Sequence, residues 1–137
     1  EMQGGFLRVN LKYFDQWNEM RRNIAEFYER ELNRQYYVLP EKMKKGENVY
    51  HIFPVLCKNR ENLQRYLNEN GIGTNIHYAK PIYKQKAYIS EFEGQEFPVT
   101  DRICKEELSL PIFPGMSRKQ MEYVVEKVNQ FPNKCIL

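Results

Sequence analysis

The 137-residue sequence has few cysteines and few histidines, and their spacing excludes the commonest metal sites. Its three cysteines, Cys57, Cys104 and Cys135, form no Cys-x-x-Cys pair, and an odd number argues against a disulfide framework. The two histidines, His51 and His77, have no pair of carboxylates close to them in the sequence. These absences favour a cytosolic protein with reduced thiols and without structural zinc.

Long apolar segments and a strong excess of one charge are also missing. No run of residues is long and apolar enough to cross a bilayer, and none has the form of a signal peptide. We therefore expect a cytoplasmic protein with no membrane contact. The 21 basic and 18 acidic residues leave a net charge of +3, which is too small to indicate nucleic-acid binding. The densest basic run, Lys42–Lys45, lies between Glu41 and Glu47, which favours a solvated loop over a phosphate-binding patch.

What the chain does have is the composition of a globular domain. Hydrophobic residues make up 42% and aromatic residues 14% of the sequence, which is enough for one domain with its own core. Over residues 1–33 the apolar side chains recur at steps of three and four. This spacing predicts a long amphipathic helix, or two helices joined near Lys12 and Tyr13. Because the pattern begins at Glu1 without a capping residue, we interpret the chain as cut from a longer protein.

Strand and helix patterns alternate through the rest of the chain, after a polar loop predicted over residues 33–48. Apolar residues on both faces predict a strand over Val49–Cys57, with His51 hydrogen-bonded in the core. A capping box at Ser117 and Gln120 and the glycine at Gly71 mark the ends of two helices. These elements predict a small sandwich of helices and sheet, either α+β or α/β. The other predicted elements are helix Asn59–Asn70, helix Thr100–Leu108 with Thr100 as its cap, the last helix from Ser117, and strands Gly73–Tyr78 and Leu108–Phe113.

The segment Gly71–Gln85 carries the best candidates for a binding site. His77 and Tyr78 stand at the end of a predicted strand, where a loop held by rigid neighbours is well placed to contact a ligand. Spacing alone leaves open both a binding role and a structural role for His77. The Gly71-x-Gly73 element is too short for a phosphate-binding loop. No nucleophile and base can be paired in the sequence, so we assign no catalytic residue.

Four motifs occur in a specific order along residues 1–133. They are the Leu11-Lys12 step in the first helix, a Gly-Ile-Gly-Thr-x-Ile-His-Tyr segment from Gly71, a Phe-Pro-Val-Thr helix start at Phe97, and a Ser-Leu-Pro-x-x-Pro-x-Met segment from Ser109. In this order they resemble the C-terminal third of the DegT/StrS-type nucleotide-sugar aminotransferases, which are PLP enzymes with the aspartate aminotransferase fold. The resemblance implies an α+β domain with a small, mostly antiparallel sheet, flanking helices and a long N-terminal helix.

The resemblance also implies how the chain relates to a whole enzyme. Residues 1–137 would be a single C-terminal small domain, with an inter-domain helix over 1–33 and a sheet with helices over 48–133. The large domain that holds PLP on a lysine would be absent, so the chain alone is expected to bind no PLP and to be inactive. The parent would transfer an amino group, with glutamate as the expected donor, to a nucleotide-linked keto-sugar. It would act as a homodimer in the synthesis of cell-surface polysaccharides or secondary-metabolite sugars.

Carried over residue by residue, the resemblance assigns the substrate-binding positions. His77 and Tyr78 would orient the substrate by hydrogen bonds and stacking, and Gln85 would contact the sugar or its phosphates. The family usually has His-Tyr-Pro, whereas here Ala79 and Lys80 separate Tyr78 from Pro81. The family also often has a histidine at the position of Tyr83. These departures leave the sugar specificity open. The full set of predicted substrate-binding residues is Thr74, His77, Tyr78, Pro81, Tyr83 and Gln85.

A second class of function stays open. The chain could instead be a free-standing α+β ligand-binding or regulatory module that uses the Gly71–Gln85 segment without catalysis. The reading frame upstream of Glu1 would discriminate, because a preceding PLP domain supports the enzyme. In the isolated chain, Phe6, Leu7 and Val9 are expected to lack cover and to promote self-association.

Overall fold

The computed structural model describes residues 2–41 and 48–132, and in this part of the chain it contains five α-helices and two short strands. The strands form an antiparallel pair, so the fold class is α+β, as the resemblance implies. The run Lys42–Lys45 and Cys135 lie outside the described residues. The division into inter-domain helix and small domain stays a prediction. In chain order the elements are α1 (Met2–Leu11), α2 (Phe14–Glu31), β1 (Phe53–Leu56), α3 (Arg60–Glu69), a 3₁₀ turn (Ile82–Lys84), α4 (Pro98–Glu106), β2 (Glu107–Leu110) and α5 (Arg118–Gln130).

The N-terminal region forms two helices, which confirms the second of the two predicted alternatives. The helical ladder tightens at Lys12 and Tyr13, whose amides donate to the carbonyls of Val9 and Asn10, three residues earlier, over 3.2 and 3.0 Å. No residue of α1 is buried. None of the described helices is both long and apolar enough to span a membrane. The residues that α2 buries in the core are Ile24, Ala25, Phe27 and Tyr28.

β1 and β2 form the centre of the sheet, and one isolated bridge widens it on each side. Val38 pairs with Leu56 on one side, and Asn75 pairs with Ser109 on the other. The predicted strand Gly73–Tyr78 is therefore reduced to a single bridged residue, and as a strand the prediction is wrong. Its importance is positional, because this bridge places the segment after α3 along the edge of β2.

The two other predicted strands are too long. Tyr50 has a φ of 45°, a left-handed conformation that interrupts extended backbone, so the predicted strand Val49–Cys57 keeps only its second half. As a result His51 is exposed, and its predicted place in the core is wrong. The predicted strand Leu108–Phe113 begins one residue earlier, at Glu107, and ends just before Pro111.

The C-terminal end of α3 confirms the predicted helix stop. Gly71 has a φ of 73° and its amide donates to the carbonyl of Asn68 over 3.0 Å. The amide of Ile72 donates to the carbonyl of Leu67 over 2.9 Å, and both of these side chains are buried. Together the two bonds form a Schellman motif, which fixes the direction in which the chain leaves α3.

The starts of α4 and α5 are set by local sequence signals. α4 begins at Pro98 with Phe97 at the N-cap position, so Thr100, the predicted cap, lies inside the first turn. Proline is favoured there because its φ suits the helix and its missing N–H is not needed. The capping box of α5 is confirmed: the amide of Ser117 donates to Gln120 Oε1 over 2.8 Å, and the amide of Gln120 donates to Ser117 Oγ over 3.3 Å.

The core is rich in aromatic rings and joins α2, the sheet and α5. Tyr28 of α2 meets Phe53 of β1 edge-on, with the ring centroids 5.1 Å apart. Tyr37 lies in the segment predicted to be a polar loop, yet it is 1% exposed and donates to the carbonyl of Val128 over 2.8 Å. The segment between α2 and β1 is therefore partly core, because its tyrosine ties it to α5.

Candidate functional site

An open groove of about 370 Å³ lies along the edge of β2 at which Asn75 pairs with Ser109. Three segments form it: the turn before β1, the segment after α3, and the end of β2 with the residues that follow. Two of the six predicted binding residues, Thr74 and His77, line this groove. The described residues that line it, which we call the His77 groove, are His51, Ile52, Gly73, Thr74, Asn75, His77, Ser109, Leu110, Pro111 and Ile112.

Glu107 and Ser109 of β2 hold His77 at this groove. The Ser109 hydroxyl donates to Glu107 Oε1 over 2.5 Å, and its oxygen lies 2.9 Å from His77 Nδ1. The backbone amide of His77 donates to the second carboxylate oxygen, Oε2 of Glu107, over 2.7 Å. Glu107 is 2% exposed, and a carboxylate buried to this extent is stable only when its oxygens are hydrogen-bonded. One buried carboxylate thus fixes the backbone and the ring of His77 together.

Asn75 contacts the other nitrogen of the His77 ring. Its Nδ2 lies 3.2 Å from His77 Nε2, and its Oδ1 accepts from the amide of Ile76 over 2.9 Å. Its backbone exchanges two hydrogen bonds with Ser109, of 2.8 and 3.3 Å. The side chains of Asn75, His77, Ser109 and Glu107 therefore form one continuous hydrogen-bonded series, which we call the polar chain.

Three predicted binding residues follow His77 in the loop and differ in their surroundings. Tyr78 is 74% exposed, and its ring stands edge-on to the His77 ring with the centroids 5.6 Å apart. Pro81 is buried, whereas Gln85 is exposed. Gln85 ends the 3₁₀ turn, where its backbone amide donates a hydrogen bond to the carbonyl of Ile82. Neither Pro81 nor Gln85 is among the described residues that line the His77 groove.

Tyr83, the sixth predicted residue, belongs to a separate aromatic cluster. The centroid of its ring lies 4.8 Å from the ring centroid of Phe97 and 6.5 Å from that of Phe92. Its hydroxyl donates to Asp101 Oδ1 over 2.5 Å, and Lys84 Nζ donates to the same oxygen over 2.6 Å. These donors lower the pKa of Asp101, the Lys84 bond having the larger effect. Tyr83 therefore anchors the loop to α4 instead of lining the His77 groove.

Arg21 of α2 holds the backbone of two groove-lining segments together through hydrogen bonds. Its Nη1 donates to the carbonyls of Tyr50, His51 and Ile112 over 3.4, 3.3 and 3.1 Å. Two of these residues, His51 and Ile112, line the His77 groove. A second groove of about 340 Å³ adjoins this contact and is lined by Phe14, Trp17, Asn18, Arg21, Val49, His51 and Pro114.

Asn75, Glu107 and Ser109 were not predicted from the sequence as residues of the site. A signal was present, because Glu107 and Ser109 alternate with two leucines in β2 and so lie on one face of the strand. Alternation alone does not separate a solvated polar face from a buried one. Only the packing of the segment after α3 onto this face identifies the two residues as part of a site.

The described residues that line the His77 groove lack the side chains that would hold a metal ion or covalently bound PLP. Within residues 2–41 and 48–132, no group of three or more His, Cys, Asp or Glu side chains could hold a metal ion. The described residues that line the His77 groove include no lysine, the residue whose amine binds PLP as a Schiff base. These residues do not fit covalently held PLP, so we derive no reaction step through it.

Comparison with solved structures supports the fold. The crystal structure of the Streptomyces venezuelae protein DesV, in complex with a ketimine intermediate, matches with a TM-score of 0.90 and 31% sequence identity, over 98% of this chain and 37% of that one. A DegT DnrJ EryC1 StrS aminotransferase from Brucella abortus matches with a TM-score of 0.83 and 26% identity, over 93% of this chain and 34% of that one.

Sequence comparison leads to the same family. The dTDP-3-amino-3,6-dideoxy-alpha-D-galactopyranose transaminase of Aneurinibacillus thermoaerophilus is 43% identical over 96% of this chain and 36% of its own length. The dTDP-3-amino-3,4,6-trideoxy-alpha-D-glucose transaminase of Streptomyces venezuelae is 31% identical over 98% of this chain and 36% of its own length. The chain thus spans about a third of these relatives. A model of the DegT/DnrJ/EryC1/StrS aminotransferase family matches residues 1–129, and the chain therefore belongs to that family.

Proposed function

We propose that this chain forms the substrate-side wall of a PLP-dependent aminotransferase that acts on a nucleotide-linked keto-sugar. The observation that carries the proposal is the polar inner wall of the His77 groove in a chain that belongs to this family. Both relatives described above are named as transaminases of dTDP-linked amino sugars, which favours a nucleotide-linked sugar as the ligand.

The chemistry of the groove suits a polyhydroxylated ligand. The His77 ring and the Asn75 amide supply hydrogen-bonding groups on the inner wall. Thr74 Oγ1 is buried and has no hydrogen-bond partner among the described residues, so a ligand hydroxyl could satisfy it. The exposed Tyr78 ring beside His77 offers an apolar face on which a sugar or a base can stack. Apolar walls with a few fixed polar groups are typical of small-molecule sites.

In this proposal His77, Tyr78 and Thr74 bind and orient the sugar, and they carry no bond-breaking step. PLP, when bound, supplies the electron sink for transamination, and residues outside the His77 groove would hold it. The isolated chain is therefore expected to be inactive and to develop no borohydride-sensitive Schiff-base absorbance with added PLP. Glutamate as amino donor, a role in polysaccharide or secondary-metabolite sugar synthesis, and a cytoplasmic location belong to the same proposal.

We also propose that the parent is a homodimer and that the isolated chain self-associates through α1, which the missing domain or a partner subunit would cover in the parent. Phe6 and Leu7 are 65% and 62% exposed, although both are large and apolar. Sedimentation of the chain and of a Phe6→Ser, Leu7→Ser double variant tests this contact. We expect the variant to shift the chain toward monomer, and a strictly monomeric wild type at high concentration would contradict the contact.

Binding of dTDP-glucose to the ¹⁵N-labelled chain tests the proposed ligand class. We expect shifted amide signals at Thr74, His77 and Tyr78, and weaker binding after His77→Ala or Tyr78→Ala. Tyr88→Ala is the matched control, since Tyr88 is a 43% exposed tyrosine that does not line the groove. Shifts confined to other surfaces would contradict a sugar site here.

A chimeric enzyme tests the activity itself. This chain would replace the aligned segment of the Streptomyces venezuelae transaminase, to which it is 31% identical. We expect the chimera to transfer amino groups and His77→Ala to raise KM more than it lowers kcat, because His77 is assigned to binding. An active chimera that is insensitive to both His77→Ala and Tyr78→Ala would refute the assigned role. Sugar binding combined with an inactive chimera would favour the free-standing module.

A further inference from the structure

We propose that Glu107, acting through Ser109, is a positioning residue that holds His77 as the tautomer protonated on Nδ1. His77 Nε2 then faces the groove as a hydrogen-bond acceptor, and the ligand group that meets it is a donor, either a hydroxyl or an amine. The tautomer follows from the polar chain alone. The identity of the ligand group rests on the proposed function.

Glu107 sets the direction of the hydrogen bonds in the polar chain, because an ionised carboxylate only accepts hydrogen bonds. The Ser109 hydroxyl, 2.5 Å from Glu107 Oε1, must therefore donate its single hydrogen to the carboxylate. That hydroxyl has no second hydrogen for His77 Nδ1, which lies 2.9 Å away. Its oxygen can only accept there, so Nδ1 must carry the hydrogen.

Asn75 sets the polarity at the other end of the ring. Because the Ile76 amide donates to Asn75 Oδ1 over 2.9 Å, the side-chain amide is oriented with Nδ2 toward the ring. Nδ2 has hydrogens and no lone pair to offer, so it donates to His77 Nε2 over 3.2 Å. Both ends of the polar chain thus require the same neutral form of His77, with Nδ1 protonated and Nε2 accepting.

The two ends of the polar chain differ in their exposure to solvent. Glu107 and Ser109 are 2% and 5% exposed, so they offer almost no surface to a ligand in the groove. The contact between Asn75 and His77 Nε2 is at the surface. A ligand can replace the Asn75 amide there only with another donor, because a phosphate or carboxylate oxygen would face a nitrogen lone pair. His77 therefore selects a hydroxyl or an amine, and the diphosphate must lie elsewhere.

¹⁵N NMR of the imidazole nitrogens measures the tautomer directly. The sequence has only two histidines, so His51→Gln identifies the signals of His77, and His51 serves as an exposed internal reference. At a pH where imidazole is neutral, we expect the wild type to show Nδ1 protonated, the less common form in free histidine. A wild type with Nε2 protonated overturns the proposal.

Variants of β2 separate positioning from general stability. Ser109→Ala removes the acceptor for Nδ1–H and is expected to shift the population toward the Nε2–H form, whereas Ser109→Thr keeps a hydroxyl and should retain the wild-type form. Glu107→Gln turns one accepting oxygen into a donor, which breaks one of the two contacts and should mix the tautomers. Backbone amide spectra report whether each variant is folded. If Glu107→Gln does not fold, the two Ser109 variants decide, and an unchanged tautomer in folded Ser109→Ala overturns the proposal.

Two ligands test the donor assignment. We expect dTDP-glucose to move the His77 Nε2 resonance and to lose this effect in Ser109→Ala, while dTDP, which has the diphosphate but no sugar, leaves Nε2 unmoved. An equal effect of dTDP overturns the assignment of a donor. If neither ligand moves any groove signal, the proposed function and the donor assignment both fail, while the tautomer measurement still stands by itself.

Discussion

Tyr83 donates its hydroxyl hydrogen to Asp101 Oδ1 over 2.5 Å, and this bond ties the 3₁₀ turn to the first turn of α4. Lys84 adds a second donor to the same oxygen. Through this carboxylate, α4 restrains the loop that leaves the His77 groove. The loop geometry should consequently depend on the charge of one partly exposed aspartate.

The pH dependence of this contact has a definite sign. The Lys84 bond and then the Tyr83 bond lower the pKa of Asp101 below 3.8, so the ionised form is the one that the fold stabilises. The restraint is complete above 3.8 and is lost as the pH falls through the depressed pKa. Below the depressed pKa of Asp101, we expect residues 82–97 to have lower protection factors against amide hydrogen exchange than at neutral pH. In Asp101→Asn we expect the lower protection factors at all pH values. Glu91→Gln in the same loop is the control, and equal exchange in both variants would contradict the restraint.

Tyr50 provides the corresponding test in alkali. Burial, and then its hydrogen bond to Glu29 Oε1 at 2.9 Å, raise the pKa of Tyr50 from 10.0 to about 12. The folded state therefore favours the protonated phenol, and this contribution is complete below 10.0 and disappears as the pH rises through about 12. We expect the free energy of unfolding to fall less steeply over this range in Tyr50→Phe than in the wild type. The exposed Tyr88→Phe should follow the wild type, and identical slopes for all three proteins would exclude the effect.

Leu67 tests the packing of α3 against the core. Its side chain is 0% exposed, whereas that of Leu11 on α1 is 68% exposed. Leu67→Ala should lower the free energy of unfolding by about 2 to 5 kcal/mol, because it removes buried methyl groups and leaves a cavity. Leu11→Ala, the matched control, should change it by less than about 0.5 kcal/mol. Urea unfolding of the two variants measures both values, and a similar loss in each would show that α1 is covered.

Gly71 and Gly73 form a pair that isolates backbone conformation from crowding. A Cβ added at either position has no heavy atom within 4 Å, but only Gly71 has a left-handed φ, of 73°. Gly71→Ala should destabilise the fold by about 1 to 2 kcal/mol, since the left-handed region is costly for an L-residue. Gly73→Ala should be neutral or stabilising by up to about 1 kcal/mol, because it restricts the unfolded chain. Thermal unfolding distinguishes them, and effects of the same sign would contradict the Schellman assignment.

Local signals were sufficient to predict the end of α3 and the start of α5. The capping box of Ser117 and Gln120 and the stop at Gly71 depend on residues within one turn, so the sequence around them contains the full physical cause. The break near Lys12 was one of two alternatives that the sequence left open, and the structure has the break. The start of α4 was misplaced by two residues, because Pro98 at the first helical position outweighed a possible cap at Thr100.

Non-local contacts explain what the sequence did not reveal. Whether Asn75 lies in a strand is decided by its pairing with Ser109, thirty-four positions later. His51 is exposed instead of buried because the left-handed backbone of Tyr50 changes the direction of the polypeptide. In the candidate site, Thr74 and His77 line one groove, whereas Tyr83 lies in a separate aromatic cluster. Its partner Asp101 lies on another element, and no periodicity in the sequence indicates that pairing.

β2 has only four residues, and its two faces have incompatible requirements. Leu108 and Leu110 are needed in the apolar core, while Glu107 and Ser109 must remain polar to support His77. Adding or deleting one residue before β2 would exchange the faces, placing a carboxylate in the core and a leucine against the histidine. A protein engineer who wishes to change the proposed ligand of the His77 groove should therefore leave β2 untouched and vary exposed loop positions such as Tyr78, where substitutions have little effect on the free energy of unfolding.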